Sequence, residues 1–450
     1  MPAEPLAARR YALIGVSNRG VASFARPLLG VAGGTDSVLG YGASADDFSA
    51  RGRLVAVLDV DRARAEAFTR AVVPAGYPQV AVYSPDELGS LFDQARPDAV
   101  IIASPDHTHS GYIEAALSRG VDVISEKPMV TTAAEAGRVL AADEGSVGAV
   151  RVTHNLRYTA RHRRIKELLL AGAVGRVLHV ALDYRVDVRH GASYFLRWNR
   201  TRAASGGLTI HKSTHHLDLI AWWLGQRAAT AYALGGRDYY GPAGAHRPAG
   251  VPADAPVADV RAADPYYRAQ LGSGTFPDDA ATARRGLFDL PYDVQYPAGR
   301  DLYLYDEEID IEDHVSALLT FDGGASAAYS VTFSSPWEGY RATITGTHGV
   351  IEAFTGRTPE GEQLAGSGEL VLRPLFAQAE QISVASGSGG HDGADPLMRR
   401  DLFVGPDEES VRLGLGASAV EGAFAVAAGE AVWRSVAEQR VVSVPELLGR

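Results

Sequence analysis

The chain has 450 residues, 46% hydrophobic and 22% charged, which at about 150 residues per domain fits a globular protein of two or three domains. Forty-three Lys and Arg stand against 54 Asp and Glu, a net charge of -11 with no basic block able to neutralise a row of phosphates, so nucleic acid is not expected as a partner. The absence of cysteine excludes disulfides, thiolate metal sites, iron–sulfur clusters and cysteine nucleophiles, and no run reaches the roughly 18 apolar residues of a bilayer span, so no membrane partner and a cytoplasmic location are expected.

In chain order, β-branched apolar runs at Tyr11–Val16, Leu54–Val60, Ala99–Ala103 and Val121–Ser125 predict strands separated by helical patterns, the mark of a parallel, doubly wound α/β sheet. The first run ends in Gly15-Val16-Ser17-Asn18-Arg19-Gly20, a G-x-G-x-x-G turn with Ser17 at the middle glycine. The outer glycines allow a tight turn and close helix packing, the helix start offers N–H groups to a pyrophosphate, and the serine adds a hydroxyl donor. The second strand ends in Asp59, the acid expected to meet the ribose hydroxyls, and a Gly/Ser/Ala-rich insertion at residues 30–53 accounts for its wide spacing from Gly20. An acid there repels a 2′-phosphate and favours NAD over NADP, with Arg62 as the opposing charge.

Ser104-Pro105-Asp106-His107-Thr108-His109 and Glu126-Lys127-Pro128 fall at the carboxyl ends of later strands, where open α/β sheets bind ligands. Pro128 biases Lys127 toward extended backbone, aiming the amine into the cleft, where its pKa falls and it shares a proton with a substrate hydroxyl.

Beyond about residue 175 the pattern changes to strands at Val177–Val186, Ala229–Leu234, Val315–Phe321, Ala325–Phe333, Ala342–Gly346 and Glu369–Leu375, predicting a large, mostly antiparallel sheet. Asp322-Gly323-Gly324 reads as a hairpin turn, and a helix over Ala417–Glu438 precedes a last strand at Arg440–Val444. Residues 235–300 are rich in Gly, Pro, Ala and Tyr, and the pairs Tyr239-Tyr240 and Tyr266-Tyr267 predict an ordered loop there. The division expected is 1–152 for the dinucleotide domain and 153–450 for a substrate-binding and oligomerisation domain.

Residues 205–218 hold three of the thirteen histidines. Read as one helix, Ile210, Thr214, Leu217, Ala221 and Leu224 make an apolar stripe, while His211, His215, Asp218 and Trp222 make a second, about 100° away, that faces a cleft. Without a third ligand nearby, His211 and His215 read as an acid/base pair rather than a metal site.

Together these motifs resemble the Gfo/Idh/MocA oxidoreductases, named for glucose-fructose oxidoreductase and inositol dehydrogenase. The resemblance rests on the glycine turn at 15–20, Ser104-Pro105 with His109 for the family's T-P-N-x-x-H, Glu126-Lys127-Pro128, and Asn155 with Arg157-Tyr158. It extends through Gly206-Gly207 followed by His215 to the closing helix and strand over Ala423–Val444. It implies a Rossmann domain, a C-terminal α+β domain whose open sheet makes a homodimer or homotetramer, and hydride transfer between NAD and a hydroxyl of a small-molecule carbohydrate or cyclitol. By position, Gly15, Ser17, Asn18, Arg19, Gly20, Asp59, Ser104, His107, His109, Glu126 and Lys127 would bind the cofactor. Lys127 would polarise or deprotonate the hydroxyl, His215 would act as general acid/base beside His211, and Arg157, Tyr158, Trp198, Arg200, Lys212 and His215 would line the substrate pocket.

Where the family commonly has an aspartate four residues before the catalytic histidine, this chain has His211, and a second imidazole cannot orient and charge the first as a carboxylate does. That departure opens a second reading in the same fold: a glycosidase that uses tightly held NAD for oxidation, elimination, hydration and reduction. His211, Lys212 and His216 would supply its extra acid/base groups, and Arg157, Arg200, Arg202 and Lys212 would favour an anionic glycoside. A dinucleotide-sensing binding protein is the third reading, and it fits poorly with both Lys127 and His215 in place.

Overall fold

The computed structural model describes residues 8–31, 46–252, 255, 259, 263–264, 302–384 and 393–450. Tyr266-Tyr267 and parts of both insertions lie outside the described residues.

Short apolar runs form β1 (Arg9–Ile14), β2 (Gly52–Leu58), β3 (Ala81–Tyr83), β4 (Ala99–Ile102), β5 (Asp122–Ser125) and β6 (Val150–Val152), all parallel. The residues of β4 are fully buried, as strands covered by helices on both faces must be. The sheet order β6-β5-β4-β1-β2-β3 reverses direction between β1 and β4, and the crevice that opens at such a switch point is where this architecture binds ligands.

The second sheet holds β7 (Val177–Asp187), β8 (Ala228–Gly236), β9 (His314–Phe321), β10 (Ser326–Ser335), β11 (Glu338–Gly346), β12 (Gly349–Arg357), β13 (Leu370–Pro374) and β14 (Glu380–Gln381). Two short strands complete the set: β15 (Ala417–Ser418) pairs antiparallel with β6 on the first sheet, and β16 (Val442–Ser443) pairs with β8 on the second. The second sheet runs β14-β13-β12-β11-β7-β10-β9-β8-β16, antiparallel except where β7 meets β10. Its strands alternate buried and more exposed residues, as expected of a sheet packed on one face. The helix Ala419–Glu438 packs against β8 on the covered face, while Tyr232, Leu234 and Leu318 stand exposed on the other. The predicted hairpin is present, with Gly324 at φ +87° closing the turn between β9 and β10.

One sequence expectation changes. Residues 208–224 are not one helix but two, Leu208–His211 and Thr214–Leu224. The Ser213 hydroxyl donates to Leu208 O at 3.2 Å and accepts from Tyr329 at 2.8 Å, and this side-chain bonding competes with the helical ladder. The C-terminal segment also returns to the first sheet: on the helix Ala394–Phe403, Phe403 packs against Tyr11, Phe24 and Phe48.

Candidate functional site

The glycine turn meets the next strand's exit closely. Gly15 has φ +90°, and a Cβ there would stand 2.5 Å from Ser104 N, so only glycine fits between the two crossing loops. Ser17 is engaged locally: its hydroxyl donates to Ala103 O at 2.8 Å and caps the helix by accepting from Gly20 N at 3.1 Å. Asp59 is buried, and its two oxygens accept from Val16 N at 2.7 Å and Asp61 N at 2.8 Å, fastening the end of β2 to the turn. Burial raises its pKa. Arg62 is compensated by Glu87 at 2.7 Å and Glu66 at 3.4 Å, so the charge that opposed the NAD preference is already balanced. The glycine cradle, together with the buried, unpartnered Asn18 Oδ1 beside it, fits a dinucleotide.

Arg19 stands at that helix start and binds two carboxylates, Glu126 at 2.7 Å and Asp395 at 2.8 and 3.2 Å. Asp395 also accepts from Asn155 at 2.9 Å. Arg19 is therefore a clamp between the glycine turn, the Glu126-Lys127-Pro128 loop and the returning C-terminal helix. His109 has the same tethering role, its ring nitrogens 3.0 Å from Pro128 O and 2.9 Å from Ser104 O. Ser104 bonds Thr108 at 2.6 Å, and His107 is exposed.

Lys127, His211, His215, Lys212 and Trp198 do come together. Gly206, at φ +72°, ends the helix Arg202–Ser205 where a Cβ would stand 2.5 Å from Thr131 O; the reversal starts the turn that carries His211 toward Lys127. Lys127 Nζ donates to His211 O at 3.0 Å. Burial pushes its pKa down to about 8, against the opposing pull of Asp106. His215 is held well below the ordinary imidazole range by burial and by the Lys127 and Lys212 charges, and its Nδ1 is buried without a partner. Lys212 Nζ lies 5.3 Å over the Tyr184 ring, and Trp198 meets His211 edge-on at 5.6 Å.

His211 itself donates from Nδ1 to Asp106 Oδ2 at 2.5 Å. A carboxylate only accepts, so the neutral ring carries its hydrogen on Nδ1 and keeps the Nε2 lone pair. Burial outweighs Asp106 in setting its pKa, which is lowered. A carboxylate from the other domain thus meets His211, while His215 Nδ1 keeps no partner. Sequence reasoning quoted Asp106 without giving it a role, and it missed His154, whose buried ring lies 6.1 Å from that of His215.

Three substrate candidates are placed elsewhere. Arg157 is fully buried in a bidentate pair with Asp218 at 2.8 and 2.5 Å, which fixes the His215 helix to the loop after β6. Tyr158 bonds Asp401, and Arg200 bonds Tyr303 O at 2.7 Å beside Asp306 at 2.8 Å. Arg202 is paired with Glu312 at 2.6 Å. The expected guanidinium cluster therefore forms no anion site, because each member faces a carboxylate of its own chain. Removing Asp218 strands a buried guanidinium, so Asp218→Ala is expected to cost about 3–5 kcal/mol of stability, read as a lower denaturant midpoint.

Family models match both halves of the chain: the NAD-binding Rossmann fold of an oxidoreductase family over residues 9–154, and that family's C-terminal alpha/beta domain over 166–444. The chain belongs to the Gfo/Idh/MocA oxidoreductase family. Its cofactor is NAD. The Bacillus subtilis (strain 168) protein YteT, which its name describes only as an oxidoreductase, is 39% identical over 96% of this chain and 97% of its own length. Inositol 2-dehydrogenase of Streptomyces avermitilis is 32% identical over 50% of this chain and 60% of its own. Among solved structures, levoglucosan dehydrogenase with NADH and levoglucosan shares the fold with a TM-score of 0.63 at 17% identity, covering 97% of this chain and 99% of that one. Among the described residues no helix is long and apolar enough to cross a membrane.

Proposed function

We propose that the enzyme transfers a hydride between NAD and a secondary hydroxyl of a sugar, cyclitol or glycoside. The observation that carries this reading is Lys127, a buried amine with its pKa brought to about 8, facing neutral histidines at the mouth of the dinucleotide crevice. Bound NAD supplies the hydride acceptor. Lys127 takes the proton of the reacting hydroxyl, and the charge left on it is balanced by Asp106 and Glu126. His215, kept neutral by burial and the cations around it, hydrogen-bonds the same oxygen while Lys127 takes the proton. The accepting capacity left on the Asp59 carboxylate receives the ribose hydroxyls. The inositol dehydrogenase relatives support a polyhydroxylated substrate. The exposed Tyr232, Leu234 and Leu318 support pairing of the open sheet face in a homodimer or homotetramer.

One observation favours the glycosidase reading as the alternative: the Asp106–His211 pair is an acid/base dyad additional to Lys127 and His215. A single assay separates the two. Enzyme is mixed with nitrophenyl glycosides, methyl glycosides, free sugars and myo-inositol, with and without added NAD, while aglycone release and NADH absorbance are followed. NADH accumulating only with added NAD supports the dehydrogenase; aglycone release without net NADH overturns it in favour of the glycosidase.

A further inference from the structure

Lys212 brings a charge into the site that the hydride-transfer chemistry does not use. It lies in the break between the helices Leu208–His211 and Thr214–Leu224, where the Ser213 hydroxyl bonds Leu208 O and Tyr329. Its ammonium stands 5.3 Å over the ring of Tyr184, which is stacked at 3.9 Å on His216. From there its charge reaches the reaction centre: it joins Lys127 in lowering the pKa of His215, and it opposes protonation of Lys127 itself. Arg157, Arg200 and Arg202, the guanidinium groups read from the sequence alongside it, are matched by Asp218, Asp306 and Glu312. Among the described residues Lys212 is paired with no carboxylate. Glu338 feels its charge, but the two Glu338 oxygens lie 2.9 and 3.0 Å from His190 Nδ1, and one of them is 3.9 Å from Arg357. Two ammonium groups that oppose each other's charge across a pocket leave a positive potential there that an anion relieves.

We infer that Lys212 is a specificity residue that binds a carboxylate carried on the substrate ring, so that the substrate class is a hexuronic acid or its glycoside rather than a neutral sugar or cyclitol. The inference rests on the carbohydrate-oxidising reading above and narrows it. One unmatched ammonium fits one singly charged group. The carboxylate accepts from the Lys212 ammonium in a charge-assisted bond, while the reacting hydroxyl of the same ring meets Lys127. A neutral ring in that place desolvates the ammonium and leaves it unpaired, and this penalty is the source of the discrimination.

The test compares methyl and nitrophenyl hexuronosides of the gluco, galacto and manno series with their uronamides, with the parent hexosides and with myo-inositol. NADH and aglycone release are followed together in the presence of NAD. The uronamide keeps the shape of the acid and removes its charge. The wild type is expected to prefer an acid over its uronamide by at least about tenfold in kcat/KM in one series. Lys212→Met and Lys212→Gln keep most of the side chain's packing and remove the charge. Both are expected to cut that preference below about threefold, chiefly through a higher KM for the acid. The preference is a ratio within one preparation, so a variant that folds in lower yield still reports it. A merely structural role would lower acid and uronamide alike, and that result overturns the proposal. So does a preference that persists in both variants. A wild type that oxidises neutral hexosides or myo-inositol as readily as the acids overturns the proposal and leaves the parent reading standing. Aglycone release without net NADH overturns the dehydrogenase reading instead, and the preference for the acid is then read on that release. A wild type that turns over none of these compounds overturns both.

Discussion

Lys127→Met is expected to lower kcat/KM for hydroxyl oxidation by about 10²–10⁴-fold, the contribution of a positioned general base. The pH dependence gives the assignment its sign. With the amine's pKa at about 8, oxidation by the wild type is expected to rise with pH and level off above that value, because the neutral amine takes the proton. Reduction of the corresponding ketone needs the ammonium, so it is expected to fall across the same range. Stopped-flow NADH absorbance in both directions checks this, and a methionine variant that keeps the pH-dependent limb would assign the base elsewhere. Stability should move with pH in the same direction as oxidation. The folded pKa is depressed from 10.5 to about 8, so between those values the folded protein binds fewer protons than the unfolded chain, and stability rises with pH through that window. At pH 7 the buried ammonium costs stability. The methionine variant is accordingly expected to melt higher than the wild type at that pH while being nearly inactive.

What could be read from the chain was whatever is local. The first sheet's strands declare themselves because runs such as Ala99–Ile102 are apolar and β-branched throughout, and the Gly15–Gly20 turn carries its conformational requirement in its own residues. Strand β12 is not legible in the sequence: buried and half-buried positions largely alternate along it, but Glu352, Thr355 and Gly356 dilute the apolar signal. The helical pattern absorbs Ala417–Ser418, because the two residues that pair with β6 directly precede and cap the last helix. The break at Lys212-Ser213 depends on Tyr329, 116 residues away from Ser213. The substrate-pocket arginines misled for the same reason. Arg157 and Arg200 look like anion binders until Asp218, Asp306 and Glu308 are found against them.

Asp106→Asn is expected to lower kcat by about 10²–10⁴-fold, since His211 then loses the carboxylate that fixes its tautomer. Asparagine offers either an acceptor or a donor to Nδ1, so the ring is no longer held with its lone pair on Nε2. The carboxylate's location also explains two of the chain's departures from the family motifs. An aspartate stands where T-P-N-x-x-H has asparagine, and a histidine stands where an aspartate commonly precedes His215. In the structure these two positions meet at 2.5 Å, 105 residues apart in sequence. Each change taken alone is unexplained, whereas together they move one negative charge across the crevice. The double variant Asp106→Asn with His211→Asp returns that charge to the family's usual place, four residues before His215, and is expected to recover at least about tenfold of the oxidation lost in Asp106→Asn. Double-mutant kinetics with the panel substrates also separate the two functional readings. If the enzyme only oxidises a hydroxyl, a carboxylate on either side of the crevice suffices and the double variant works. If it also eliminates an aglycone, the imidazole of His211 is itself required, so the double variant forms NADH in a single turnover but releases no aglycone. A double variant worse than Asp106→Asn in hydride transfer would show that the two positions are not exchangeable and that His211 takes part in the oxidation step itself.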